Sequence, residues 1–247
     1  MKPPLGASLL RLFAVQGSWN YERMLGLGVG VAEEPLLRDL RSGNRDGGSA
    51  YRAAVARAAH FFNAHPYLCG LVVGAAARAE HDGAPPEQVE RLRRALCGPL
   101  GSIGDRLVWA GWLPLTSALT VAAVALGAGG RAVAGFLLVY NAGHVALRWW
   151  ALRAGWRHGA RVAVALHHPV IVRAQSLVGP LAAIAAGFCL PLAADWLAGP
   201  LPSWATTVAA LLGAAGFIAL LAAPRLTAQR LGLVLTAGAL VIGVAWP

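Results

Sequence analysis

The stretch from Gly98 to Trp109 places an acidic residue among glycines and a proline, just before the apolar part of the chain. It holds three glycines, one proline and one acid, and it stands where a charge-rich part gives way to an almost uninterrupted apolar part. Because glycine and proline interrupt helical hydrogen bonding, the stretch predicts a broken or re-entrant helix. A carboxylate at such a break is a candidate substrate ligand, and here that residue is Asp105. The alternative is an interfacial turn in which Asp105 caps the helix that follows.

Two other groups of reactive residues favour no site of their own. His167 and His168 are adjacent, so they point to different faces of a helix, and no carboxylate stands near them. Cys69, Cys97 and Cys189 are widely spaced and form no Cys-x-x-Cys pair. We therefore expect no metal site, no disulfide framework and no cofactor.

The composition predicts a membrane protein. Of the 247 residues, 57% are hydrophobic and only 13% are charged, against about 25% charged in soluble proteins. The formal net charge of +10 lies mostly in the C-terminal part, where residues 107–247 contain eight arginines and a single acid, Asp195. These arginines lie in short connections between apolar runs, as the positive-inside rule describes, and this pattern argues against nucleic-acid binding. The arginines of residues 148–161 are most simply a topology signal, and the alternative is that they contact anionic membrane lipid.

The N-terminal part, residues 1–106, is expected to hold amphipathic and re-entrant helices. Ser8 to about Val31 is too polar to span a bilayer and predicts an interfacial helix with Ser8 as its N-cap. A second amphipathic helix is predicted from Tyr51 to His65, where the following proline should end it. Residues 67–79 are apolar but too short to span, so they predict a re-entrant or buried helix. Residues 87–96 are again amphipathic, with a basic cluster that marks the cytoplasmic side.

The remaining part, residues 107–247, is expected to be transmembrane. Its apolar segments cover roughly residues 107–129, 132–152, 177–198, 205–223 and 231–246. The fold class predicted is therefore all-α and integral to the membrane, with about five C-terminal transmembrane segments. The distribution of arginines places residues 1–106 and the connections 153–173 and 224–230 in the cytoplasm, with Ala198 to Ser203 outside.

Several motifs resemble the IID subunit of the mannose/fructose/sorbose family of bacterial phosphotransferase-system (PTS) permeases. The resemblance covers about residues 10–160 and rests on the order and spacing of the motifs. They are Ser18-Trp19-Asn20-Tyr21-Glu22-Arg23-Met24, Phe61-Phe62-Asn63-Ala64-His65-Pro66-Tyr67, Gly98-Pro99-Leu100 with Gly104-Asp105 and Trp109, Tyr140-Asn141, Leu147-Arg148-Trp149-Trp150, and Gly155-Trp156.

The resemblance implies a membrane subunit of a bacterial permease in the inner membrane. The apolar segments and the arginines predict that it is multi-pass, with a cytoplasmic N-terminus. In that family a IID subunit pairs with a homologous IIC subunit to translocate a hexose, which the IIA and IIB proteins phosphorylate by relaying phosphate through their own histidines. The resemblance thus implies no catalytic residue on this chain, although the chain would belong to a sugar phosphotransferase complex. It also implies a trimer of IIC–IID heterodimers.

The chain departs from the usual family pattern at several positions. Glu80-His81 stands where the family has a pair of glutamates, and Arg106 stands where a proline is usual. Leu113 and His144 replace arginines, and residues 162–247 are shorter and more apolar than usual. These departures motivate an alternative function, a non-transporting relative that serves as a membrane scaffold or sensor. A third hypothesis, an intramembrane hydrolase using Asp105 and a histidine, lacks a second motif.

Six residues are candidate sugar ligands, because a hexose needs amide and carboxylate partners for its hydroxyls and an aromatic face for its apolar side. They are Trp19, Asn20, Glu22, Asn63, Glu80 and Asp105. The alternatives are structural: Asn20 and Glu22 on the polar face of an interfacial helix, Asn63 as a helix C-cap, and Glu80 as a solvated residue. Which sugar is bound stays open, since the pocket would be shared with a second chain.

Overall fold

A computed structural model describes residues 3–41, 48–198 and 204 of the chain. Within these ranges the fold is helical and contains no strand, which confirms the all-α prediction there. The α-helices are α1 (Leu5–Leu12), α2 (Gly26–Leu37), α3 (Ser49–Ala58), α4 (Cys69–His81), α5 (Pro86–Gly104), α6 (Leu113–Ala123), α7 (Gly130–His158), α8 (Ala163–Leu166) and α9 (Pro169–Ala198). Two π-helical segments, Asp105–Trp112 and Val124–Ala128, flank α6.

Two helical stretches in the described ranges are long and apolar enough to cross a bilayer. They are Pro86–Ala128 and Pro169–Ala193. Helix α7 contains the predicted apolar segment 132–152. The predicted segments 205–223 and 231–246 and the connection 224–230 lie outside the described residues, as does nearly all of Ala198 to Ser203. The expectation of about five spans therefore stays a prediction.

The prediction of one interfacial helix from Ser8 to Val31 is wrong, because the segment folds as two helices joined by a loop. Helix α1 ends at Leu12, and turns occupy residues 13–25 before α2 begins. Ser8 lies inside α1, where it is buried, and does not cap it. The helix is interrupted because residues 20–24 close a tight turn on themselves, with Met24 at a φ of 51°.

Helix α3 ends at Ala58, earlier than the predicted stop at His65. Pro66 disfavours helical backbone at His65, so it sets the latest residue at which α3 can end but does not make the helix extend that far. The helix ends sooner because the backbone of Phe62 pairs with the turn before α2: the Leu25 N–H donates to the Phe62 carbonyl at 2.9 Å, and the Phe62 N–H donates to the Arg23 carbonyl at 3.2 Å. This pairing requires extended backbone around Phe62.

Helix α4 is the buried helix that the short apolar run predicts. Ten of its 13 residues are buried, so it packs on all sides. Its glycines allow the backbone of α7 to approach closely: a Cβ atom at Gly70 would lie 2.7 Å from the Leu152 nitrogen, and one at Gly74 would overlap the backbone at Trp156. On α7, Gly155 allows the same close approach, because a Cβ atom there would overlap the carbonyl oxygen of Leu71. Small residues four apart are the usual means of such close helix contacts in membranes.

The prediction of a broken helix between Gly98 and Trp109 is wrong. Helix α5 continues through Pro99 to Gly104, and the chain then widens into the π-helical segment Asp105–Trp112 without leaving the helix. A proline removes one hydrogen bond and crowds the preceding turn, but a helix held by its surroundings can absorb this change. Asp105 accordingly follows the last residue of α5, where its backbone N–H donates to the carbonyls of Gly101 and Ser102. Its side chain does not cap a helix that begins there, because the helix continues through it.

The chain divides into two compact units, residues 1–111 with 138–177 and residues 112–137 with 178–247. The first unit has a core around α2 and α4 that includes a buried ion pair, Arg93 Nη1 to Glu33 Oε2 at 2.8 Å. Arg93 belongs to the basic cluster predicted to face the cytoplasm, but it is only 2% exposed. The predicted division at residue 106, between an amphipathic and re-entrant part and a transmembrane part of one domain, stays a prediction.

Candidate functional site

An open cavity of about 660 Å³ lies in the first unit. Three separate parts of the sequence line it: residues 16–25 before α2, residues 61–66 after α3, and residues 97–109 of α5 and the π-helical segment. These parts contain the three motifs that carry the family resemblance in the N-terminal half. The fold therefore brings distant motifs to one cavity.

The backbone pairing between Leu25 and Phe62 sets which side chains reach the cavity. Side chains alternate across an extended segment, so neighbours of a buried residue point the other way. Phe62 is fully buried in the core, whereas Phe61 and Asn63 on either side are exposed and line the cavity. The Asn63 side chain makes no hydrogen bond within the described part of the chain, so its donors and acceptor remain available. It is not a helix C-cap, because α3 ends at Ala58.

The glycines of α5 form part of the cavity wall. A Cβ atom at Gly98 would meet nothing within 4 Å, and one at Gly101 would only touch Ala64 at 3.9 Å. These glycines leave space instead of breaking the helix. Asp105 and Trp109 follow on the same wall, both exposed to the cavity. Asp105 is the one carboxylate among the lining residues.

Gly104 has a different role, because it allows His65 to pack against the helix. A Cβ atom at Gly104 would overlap the Cβ and Cγ atoms of His65. The His65 imidazole also lies against the rings of Tyr67 and Trp109, with ring centroids 5.0 Å away in each case. Burial, together with the positive charge of Arg148, lowers the pKa of His65 to about 4, so the imidazole is neutral near pH 7.

Arg148 connects the lining loop at Pro66 to the end of α1. Its Nη1 donates to the carbonyls of Leu12, at the end of α1, and of Pro66, in the lining loop. The guanidinium lies 4.6 Å from the ring centroid of Tyr67 and 5.3 Å from that of Phe13. The positive-inside pattern favoured a topological role for Arg148, but the side chain is only 4% exposed and ties loop to helix.

The predicted ligands divide into two groups. Trp19, Asn63 and Asp105 line the cavity, whereas Asn20, Glu22 and Glu80 do not. Asn20 stabilises the turn before α2, because its Oδ1 accepts hydrogen bonds from the backbone N–H groups of Glu22 and Arg23 at 3.1 and 2.9 Å.

Glu22 is exposed, away from the cavity lining. Glu80 is largely buried, and its two carboxylate oxygens accept hydrogen bonds from the Arg57 guanidinium at 2.9 and 2.7 Å. The alternative that Glu80 is a solvated residue is therefore wrong. The sugar contacts of Asn20, Glu22 and Glu80 stay predictions.

Sequence reasoning missed His65, Gln16 and Ser102, which also line the cavity. His65 lies two residues after the predicted ligand Asn63 in the same motif, and this position could have identified it as a lining residue. Together with the predicted ligands, the lining offers one carboxylate, two amides, one hydroxyl, one imidazole and two indole rings. Such a set suits a neutral ligand with several hydroxyls and an apolar face.

Comparisons with known proteins identify the family. The family model described as "PTS system mannose/fructose/sorbose family IID component" matches residues 2–181. The sorbose-specific EIID component of Klebsiella pneumoniae is 32% identical over 163 residues, which are 64% of this chain and 58% of that protein. The mannose-specific EIID component of Escherichia coli K12 is 28% identical over 155 residues, 61% of this chain and 53% of that protein. The chain thus spans a little more than half the length of these curated relatives.

Solved structures share the fold. A chain in the cryo-electron microscopy structure of the mannose transporter ManYZ with microcin E492 matches with a TM-score of 0.55 and 20% identity, over 99% of this chain and 95% of that one. A second structure, described as a membrane protein, matches with a TM-score of 0.65 and 20% identity, over 99% and 96% of the two chains. Because the family model covers well over half of the sequence, the chain belongs to the mannose/fructose/sorbose family of PTS IID components.

Proposed function

We propose that this chain is the IID membrane subunit of a bacterial sugar permease and that the cavity beside Asp105 is its part of a hexose site. In this proposal the chain and a homologous IIC subunit import a hexose, which the IIA and IIB proteins phosphorylate. One observation carries the proposal: Trp19, Asn63 and Asp105, from three distant motifs, line the same cavity.

The chemistry of the lining supports a sugar as ligand. A cavity of about 660 Å³ falls within the range of about 300–1,000 Å³ that is usual for small-molecule sites. The Asp105 carboxylate can accept hydrogen bonds from hydroxyls, the Asn63 amide can both donate and accept, and the Trp19 indole can cover the apolar face of a pyranose. The names of the relatives point to mannose, sorbose and fructose as the first sugars to test.

A partner subunit is supported by aromatic side chains exposed near the cavity. Tyr21 is 86% exposed, and Trp19 and Phe61 are about half exposed. Large exposed aromatic residues are typical of surfaces that another chain covers. We propose that a IIC subunit covers this side and completes the sugar site, and that three such heterodimers form the permease.

The proposed orientation in the inner membrane follows from the arginines. The described part of the connection 153–173 carries four exposed arginines and no acid. Such connections stay in the cytoplasm. We therefore propose that this connection and the N-terminus are cytoplasmic, with residues 198–203 outside.

The proposal is tested by sugar binding to the purified complex of this chain with a homologous IIC subunit. Isothermal titration with mannose, fructose and sorbose should give binding to the complex and not to this chain alone. Asn63→Ala should weaken binding by about 0.5–1.5 kcal/mol, the value of a neutral hydrogen bond. The control is Gln88→Ala, which removes an exposed amide at the start of α5, outside the cavity, and should leave affinity unchanged.

Two results would contradict the proposal. Purification of a stable, sugar-binding species from this chain alone would remove the need for the partner. A well-folded complex that binds none of the three sugars, and supports no phosphorylation-coupled uptake in cells, would favour the non-transporting scaffold or sensor instead.

A further inference from the structure

The imidazole of His65 is held in one tautomer. Its Nδ1 lies 3.2 Å from the backbone nitrogen of Tyr67, and a backbone N–H can only donate. Nδ1 is therefore the acceptor. Since the low pKa of His65 keeps the ring neutral near pH 7, the single ring proton is on Nε2.

This Nε2–H has no partner in the described part of the chain. The atom is buried and makes no hydrogen bond there, while the residue as a whole is only 1% exposed. An unpaired buried donor is unfavourable, so a native structure retains one mainly where something else is bound. His65 lines the cavity, and hence a ligand there is the natural partner.

The Trp109 ring lies against the His65 imidazole and also lines the cavity. Its centroid lies 5.0 Å from that of the imidazole, at an angle of 54° between the planes. The indole is itself 43% exposed and lines the cavity, so it has room to move aside. Gly104 fixes the distance between the imidazole and the helix, since any larger residue there would displace the ring.

We propose that His65 is a further sugar ligand, whose Nε2–H donates a hydrogen bond to one hydroxyl oxygen when the sugar displaces the Trp109 indole. The inference rests on the proposed function and adds a donor to the acceptor that Asp105 provides. A sugar hydroxyl both donates and accepts, so full recognition requires both kinds of partner. Asp105 follows Gly104 directly, and Gly104 packs on His65. The acceptor and the donor are therefore presented from neighbouring positions.

Two substitutions separate this role from the structural role of His65. His65→Asn places its amide oxygen near the position of Nδ1, which keeps an acceptor for the Tyr67 N–H and removes the Nε2–H. His65→Gln places its amide nitrogen near the position of Nε2, which keeps the donor. If His65 binds sugar, the Asn variant should bind about three- to ten-fold more weakly than wild type, and the Gln variant should bind within about two-fold of it. A purely structural role predicts the opposite order.

Monodeoxy analogues identify the hydroxyl concerned. The probes are D-mannose, D-fructose and L-sorbose, followed by each monodeoxy form of whichever binds the IIC-containing complex most tightly. In wild type, loss of one hydroxyl should weaken binding through His65. In the Asn variant the parent sugar and that analogue should bind alike, while the other analogues keep their wild-type ratios to the parent. The thermal midpoint of each complex is measured in parallel.

The outcomes distinguish this inference from the proposed function. Wild-type affinity of the Asn variant, or an equal loss for the parent and every analogue, overturns the role of His65 alone. If the Asn variant does not assemble, the Gln variant decides: selectivity for the same hydroxyl supports the role, and loss of that selectivity overturns it. A wild-type complex that binds none of the three sugars overturns the proposed function and this inference with it.

Discussion

Adding one methyl group at Gly104 should have a different effect from adding it at Gly98, although both glycines lie in α5. At Gly104 the new Cβ would overlap the His65 imidazole, whereas at Gly98 it would meet nothing within 4 Å. Neither glycine has the positive φ that strains an L residue. The two substitutions therefore share the change in helix propensity and differ in packing alone.

The expected magnitudes follow from these two terms. Replacing glycine by alanine inside a helix stabilises by about 0.5–1 kcal/mol, and this gain should appear in full for Gly98→Ala. Overpacking against a buried ring costs about 1–3 kcal/mol, which offsets the gain for Gly104→Ala. The free energy of unfolding of Gly104→Ala should therefore lie about 1–3 kcal/mol below that of Gly98→Ala.

Thermal and denaturant unfolding of the purified IIC-containing complex measures this difference. Gly98→Ala should raise the midpoint slightly, and Gly104→Ala should lower it relative to Gly98→Ala. Gly104→Ala should also weaken sugar binding, because the displaced imidazole alters the site beside Asp105. Equal midpoints for the two variants would refute the close packing of His65 on Gly104.

Three further predictions concern stability and topology. Glu34 accepts hydrogen bonds from Arg38, Tyr51 and Arg11, and the bond from Arg38 contributes most to lowering its pKa from 4.5 to about 2. A carboxyl group whose pKa is lower in the folded than in the unfolded state stabilises the fold at pH values above its unfolded-state pKa. This stabilisation is lost as the pH falls through its folded-state pKa. The midpoint of Glu34→Gln should thus lie below that of wild type at pH 6 and approach it at pH 3; a pH-independent difference would contradict the ion pairs. Arg93→Met should cost about 3–5 kcal/mol because it leaves Glu33 buried without its partner, whereas Glu33→Leu with Arg93→Met should cost less; if the costs of the two single substitutions simply add up to that of the double substitution, the pair is not coupled. In a variant without native cysteines, an impermeant thiol reagent should label Ser203→Cys and not His158→Cys in intact cells, and the reverse result would invert the topology.

The local patterns predicted helices well where burial or polarity was uniform. The apolar run at residues 67–79 is too short to span, and it forms the buried helix α4. The start of α5 follows from Pro85-Pro86 and the acid Glu87, which are favourable in the first turn of a helix. These features are local, so the sequence shows them directly.

Long-range contacts decided the features that local patterns did not predict. Helix α3 ends early because Phe62 pairs with a turn about 40 residues before it, and no local signal marks that pairing. The glycines of α5 favoured a break, but two of them serve as open wall and one as a packing surface for His65. The sequence alone does not distinguish a glycine that breaks a helix from one that makes room for a neighbouring side chain.

The site was predicted in part for the same reason. Asn63 and Asp105 could be selected because amide and carboxylate groups in apolar surroundings are chemically conspicuous. Asn20 was selected on the same ground, yet its side chain stabilises a turn. Arg148 was interpreted by its charge as a topology signal, and only the fold shows that it reaches the carbonyls of Leu12 and Pro66.

The central claim, that the cavity beside Asp105 binds sugar, is tested most directly by titration calorimetry of Asp105→Asn in the assembled complex. Asp39→Asn is the matched control, because Asp39 is exposed and lies outside the cavity. If the Asp105 carboxylate accepts hydrogen bonds from hydroxyls, its loss should weaken binding by about 1.5–3 kcal/mol, or about 10- to 150-fold, with an unchanged thermal midpoint. Asp39→Asn should leave affinity as in wild type. An intact dissociation constant in Asp105→Asn, with or without a lowered midpoint, would contradict the account.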